Sequence, residues 1–203
     1  MTFSTVMMGW GGAEGLSPVV GIFFFVGPVL LLLSLVFEWI MGNFFPMMVS
    51  GLFAVFWLSF GMLELPTLGL AAPYSTAGAA SKEFNAVVAL YLLIWGFALL
   101  TFFIFALHTN CVFAAIFLLA PIATWILSAS YWKVSQNQYE AAETLRVAGG
   151  ALLFIVGCLG WYMVIVTMAG EMYSSIKLPV GDLSRFVARS LNVPNPPNET
   201  ASV

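Results

Sequence analysis

The sequence predicts an all-α membrane protein with five complete transmembrane helices behind a short N-terminal stub. Three observations predict it. Of 203 residues, 62% are apolar and only 7% are charged, where a soluble domain carries about 25% charged residues. Mean hydropathy is +1.02. The few charges are separated by blanks long enough for a helix to cross about 30 Å of hydrocarbon, which takes roughly 20 residues.

The blanks run over 15–37, 39–63, 84–132 and 147–170. The third holds 49 residues, too many for one span, and divides at "LHTN", Leu107 to Asn110. Spans are therefore expected at 16–41, 44–66, 84–107, 110–131 and 146–171, behind a stub at 1–10. Together they make a helical bundle over 1–172, followed by a polar tail over 173–203.

The stub, "MTFSTVMMGW", would be about 15 Å long as a helix, half a crossing, and it lacks the basic flank of a signal peptide. It reads as the tail of a first span whose beginning is missing, with a re-entrant or interfacial segment as the alternative. The second span carries Pro28 near its middle and the fifth carries Pro121. Each proline frees the carbonyl four residues back, which a bundle tolerates where neighbours re-satisfy it. Such kinks open cavities in some bundles and merely pack in others. Small residues at helical spacing, Ser50 with Ala54 and then Gly149, Gly150, Gly157 and Gly160, let backbones approach closely.

Trp39 and Trp132 lie at span ends, where indole rings favour the headgroup zone. Trp57, Trp95, Trp125 and Trp161 fall within spans and are expected to pack in the bundle or face lipid. Cys111 and Cys158 also fall within spans and read as buried, small apolar residues. They form neither a disulfide framework nor a metal site. The tail's "NET", Asn198 to Thr200, matches a glycosylation pattern that arises often by chance.

Several function classes drop out. A net charge of −3 with six basic residues gives no footprint for nucleic acid. His108, the one histidine, sits at a helix-end turn with no nucleophile in pattern beside it, and no hydrolase, zinc or phosphate-loop motif occurs. No enzyme, metal or cofactor is expected. Orientation is undecided by charge: Lys82, Lys133 and Arg146 balance Lys177, Arg185 and Arg189. Apart from Arg146 at the very start of the last one, the expected spans contain no lysine or arginine, so a solute moving through them would be small and either neutral, transiently protonated, or held by backbone dipoles and hydroxyls.

Between the second and third spans stands "FEWIMGNFFP". Glu38 is placed at the end of one helix, Gly42-Asn43 at a tight turn, and Pro46 in the first turn of the next, where its missing N–H is not needed. This block, with Glu38, Gly42, Asn43 and Phe45 followed by the run Phe56-Trp57-Leu58-Ser59, resembles the second-to-third helix signature of the acetate uptake transporter family. That family comprises the succinate–acetate permeases, fungal acetate carriers and ammonia exporters. "AGG" at 148–150, Trp161-Tyr162 and "LPVGDLS" at 178–184 fit its fungal branch, and the resemblance covers about 15–185.

The resemblance implies a six-helix transporter-type bundle, here with its first transmembrane helix truncated. It further implies a hexamer in the plasma membrane, and a narrow apolar constriction passing acetate-sized monocarboxylates, or ammonia, without a cofactor. At the family's constriction this chain places Phe53, where a tyrosine is usual, and Ala120, where a leucine is usual. Leu31 replaces a glutamine, and the first-helix N-x-x-P-L-G segment is absent. Two readings stand: a channel-like facilitator of small monocarboxylates, possible proton linkage included, or a non-transporting structural or regulatory paralogue.

Overall fold

The computed structural model describes residues 1–74, 80–174 and 178–183. The described residues are mainly helical, with α1 Thr2–Met7, α2 Gly27–Met41, α3 Phe44–Leu63, α4 Lys82–Ala106, α5 Cys111–Ser135 and α6 Tyr139–Glu171. Among the described residues, five helical segments are long and apolar enough to cross a membrane, the first of them running from Ser17 to Met41. The protein is an all-α membrane bundle. Lys177, Arg185, Arg189 and the Asn198–Thr200 pattern lie outside the described residues.

Antiparallel alternation gives the bundle two ends. The α2–α3 corner, the α4–α5 turn and the end of α6 share one. The ends of α3 and α5 and the starts of α4 and α6 share the other. The helix α1 is not peripheral. Ser4, Val6 and Met7 are buried, and α1 runs antiparallel to α6, with Met1 beside Gly157 and Met7 beside Gly150. A Cβ at Gly157 would stand 2.9 Å from Met1 Cγ, and one at Gly150 would stand 3.0 Å from Met7 Cβ. The small residues of α6 therefore make the groove in which α1 lies. Gly160 is different, with open space beside it.

Pro28 lies near the middle of the Ser17–Met41 span, as expected, and the helix changes type just before it. Ahead of it the chain makes a π turn over Ile22–Val26, closed by Gly27 N–H to the Ile22 carbonyl five residues back. Pro28 then sits in the first turn of α2, where no N–H is required. Pro121 does lie within a continuous α5. The thiols depart from expectation: Cys111 and Cys158 are exposed, because their helix faces turn outward from the bundle.

The α2–α3 corner is clasped twice. Gly42, at φ +76°, closes α2: its N–H bonds the Trp39 carbonyl at 3.1 Å, and Asn43 N–H bonds the Glu38 carbonyl at 2.9 Å. This is the Schellman arrangement, in which the left-handed residue is glycine because it has no Cβ to clash. The Asn43 side-chain amide then donates to the Glu38 carboxylate at 2.8 Å.

The tightest seam joins α4 and α5. Ser128 donates to the Ala89 carbonyl at 2.6 Å and the Trp125 indole to the Leu93 carbonyl at 3.2 Å, both across the helix pair. Trp125 lies against Gly96, where any Cβ would collide with its indole ring. Ser130 ties α5 to α6 through the Ala142 carbonyl at 2.7 Å. We expect Gly96→Val to displace Trp125 and destabilise the fold by about 1–3 kcal/mol or more, the usual cost of overpacking. Gly160→Ala should be close to neutral. Thermal melts of the two variants in detergent check the contrast, and equal melting temperatures would refute it.

Candidate functional site

Two aromatic-rich clusters fill the bundle, one toward each end, with a cavity between them. Near the α2–α3 corner, Leu99, Phe102, Ala106, Phe117 and Ala120 form a buried cluster joined by Phe45, Phe53 and Val156. Phe53 stacks on Phe102 at 6.4 Å and meets Phe117 edge-on at 6.3 Å. Toward the other end, Val6, Leu16, Phe23, Phe60, Val88, Leu92 and Leu127 form the second cluster. The cavity has a volume of about 230 Å³. That is below the roughly 300–1,000 Å³ of sites for drug-sized ligands, so it suits a solute of a few heavy atoms.

Phe53 and Ala120 both line this cavity. They come from α3 and α5 and stand on its side nearer the corner, where the first cluster closes against it. The α3 run that carries the sequence signature supplies the next part of the wall. Phe56 stacks on Phe60 at 5.6 Å and on Tyr91 at 6.3 Å, and its ring centre is 5.0 Å from that of Trp95. Trp57 leans on Gly27, whose Cβ, if present, would stand 3.3 Å from the indole. Ser59 donates to the Phe56 carbonyl at 3.1 Å and lies 2.6 Å from the Tyr91 hydroxyl, which donates to it in turn. Thus Phe56 and Trp57 face the cavity while Ser59 fastens α3 to α4. Glu38, Gly42 and Asn43 remain at the corner, away from the cavity, and position the start of α3.

Sequence reasoning missed part of this wall. Trp57 and Trp95, read as packing or lipid-facing residues, are lining residues, and so are Phe3, Met7, Thr124 and Tyr131. A partial signal existed for Thr124: it follows Pro121 by three residues on one face of α5, and its hydroxyl donates to the Ala120 carbonyl at 2.8 Å. No comparable signal marked the α1 residues. No lining side chain is charged, and no group of metal-ligating side chains occurs among the described residues.

Charge gathers instead around the far end of the cavity. Tyr131 lies within electrostatic reach of Glu64 and Arg146, and Arg146 within that of Glu14. Arg146 is held by Glu143, its Nε donating to the carboxylate at 2.8 Å. Glu64 follows α3 directly, and burial pushes its carboxyl above the ordinary carboxylate range.

The sequence is similar to those of several known proteins. Protein alcS of Aspergillus fumigatus is 38% identical over 191 residues, spanning 90% of this chain and 70% of that protein. Acetate transporter protein patA of Aspergillus clavatus is 32% identical over 188 residues, spanning 93% and 74%. Ammonia transport outward protein 2 of Saccharomyces cerevisiae is 28% identical over 160 residues, spanning 78% and 52%. The model of the GPR1/FUN34/yaaH family matches residues 1–185, the α2–α3 corner, both cavity walls and the Leu178–Leu183 segment included. The resemblance seen in the sequence is borne out, and the chain belongs to the GPR1/FUN34/yaaH family of integral membrane proteins.

Proposed function

We propose that this protein is a channel-like facilitator or transporter of acetate or a similarly small monocarboxylate across the plasma membrane. The observation that carries this reading is the small cavity in mid-bundle, lined by no charged side chain, with Phe53 and Ala120 both in its wall. An apolar ring can gate a passage by dewetting without any fixed charge. A relative named for acetate transport, aligned over most of both chains, supports the solute class. The relative named for ammonia transport adds a second small solute that the same volume would hold. The family resemblance carries assembly into a homo-oligomer of six copies.

A wall without charged side chains also favours the neutral acid as the moving form, since a carboxylate would lose its hydration without meeting a cationic side chain. Proton linkage then needs no dedicated carrier residue: each acid molecule brings its own proton.

Three expected outcomes follow from this reading. In liposomes holding the purified protein, Phe53→Trp and Ala120→Leu should each lower saturable acetate influx severalfold by filling the cavity. An unchanged rate in either variant would remove that residue from the path. Influx above the protein-free background, at fixed total acetate, should fall about tenfold per pH unit well above the acid's titration midpoint, near 4.3 for a model carboxyl. A flat profile between pH ~6 and ~7 would exclude the neutral acid. Glu64 adds a stability signature. Its carboxyl titrates higher in the fold than in the unfolded chain, so its favourable contribution is full below the unfolded value and is lost as pH rises through the folded one. Glu64→Gln should therefore stabilise the protein at neutral pH and change little below about pH 4. Detergent melts at both pH values read the difference.

A further inference from the structure

Three hydroxyl groups line the cavity, on Ser4, Thr124 and Tyr131. Ser4 gives its hydrogen to the Met1 carbonyl at 2.6 Å, and Thr124 gives its own to the Ala120 carbonyl at 2.8 Å. Each hydroxyl therefore turns lone pairs, and no hydrogen, toward the space beside it. Tyr131 differs. Its hydroxyl makes no hydrogen bond with any described residue, yet no buried side-chain oxygen or nitrogen among those residues lacks a partner. The phenol oxygen is thus accessible from open space, on a residue that forms the cavity wall.

Tyr131 follows Thr124 by seven residues on α5, about two turns along the same face. Both residues line the cavity, Tyr131 toward the end where Glu64 and Arg146 lie within its electrostatic reach. The wall thus offers one uncommitted hydroxyl donor and, nearby, hydroxyl acceptors. A neutral carboxylic acid presents the converse, a carbonyl acceptor and an O–H donor. A carboxylate presents acceptors alone and would face the lone pairs of Ser4 and Thr124.

Resting on the reading of this cavity as the route of a small acid, we propose that Tyr131 is a specificity-determining residue. Its hydroxyl donates to the carbonyl oxygen of the neutral acid, while Thr124 on the same helix face accepts from an acid O–H. No covalent step is involved. The pair selects the protonated form and the carboxyl group, and the aromatic wall limits the size of what is attached to it.

The test is acetate influx into liposomes carrying the full-length protein, measured against concentration at one acidic pH, for the wild type, Tyr131→Phe, Thr124→Val and the double variant. Both replacements keep side-chain shape. Tyr131→Phe should raise the half-saturating acetate concentration about three- to tenfold, the worth of one net hydrogen bond, with a smaller change in maximal rate. Thr124→Val should act in the same direction, and the double variant should show less than the product of the two effects. An unchanged half-saturation in a monodisperse Tyr131→Phe protein would overturn the proposal while leaving the transport reading intact. Should that variant fail to fold, unchanged half-saturation in Thr124→Val would overturn the pairing by itself. A wild type that moves no acetate above empty liposomes would remove the transport reading and this proposal together.

Discussion

Within hydrocarbon a polar hydrogen has no water to turn to, and leaving it unpaired costs several kcal/mol. The rest of this structure depends on how that constraint is met. Hydroxyl hydrogens are spent locally, by Ser4 on Met1, Thr124 on Ala120 and Ser59 on Phe56. A smaller set crosses between helices, with Ser128 and Trp125 joining α5 to α4 and Ser130 joining it to α6. The first group makes each helix self-sufficient, and the second fixes α4, α5 and α6 in register. With the polar groups so disposed, the space the helices leave between them is lined mainly by aromatic and aliphatic side chains.

That disposition explains why the fold was largely legible in the sequence. Span positions follow from charge spacing alone, because a lysine or glutamate inside the bilayer is costly whatever the packing. The Gly42 turn was legible too, since a glycine and an asparagine after a long apolar run end a helix by backbone geometry. The π turn ahead of Pro28 was not. A proline in an apolar run signals only that one carbonyl loses its partner, and the chain can answer with a kink or with a wider turn. Nor did the sequence show α1 lying in the α6 groove, because a ten-residue stub carries no periodicity that says what covers it.

The site was legible only where resemblance reached. Phe53 and Ala120 were placed by matching a pattern, and the structure brings both to one cavity. Trp57, Trp95 and Tyr131 were lost for a physical reason. In a soluble helix, hydrophobic period separates inside from outside. A span that is apolar on every face has no such contrast, so an indole facing lipid and one facing a cavity read alike. Trp161, with 63% of its surface exposed, and Trp57, pressed against Gly27, differ in nothing the sequence displays. The cysteines were misplaced by the same degeneracy.

The corner and the cavity are linked through one helix. Glu38, Gly42 and Asn43 fix where α3 begins, and a rigid helix then carries that register from Phe44 nine to fifteen residues on, to Phe53, Phe56, Trp57 and Ser59. A shift at the corner would rotate α3 by about 100° per residue of slippage, moving Phe56 off Tyr91 and Trp57 off Gly27 together. The lone carboxylate between two apolar spans therefore need not touch the cavity to shape it. Its clasp on Asn43 sets which face of α3 meets the cavity, and that face supplies Phe53 and the aromatic wall beside it.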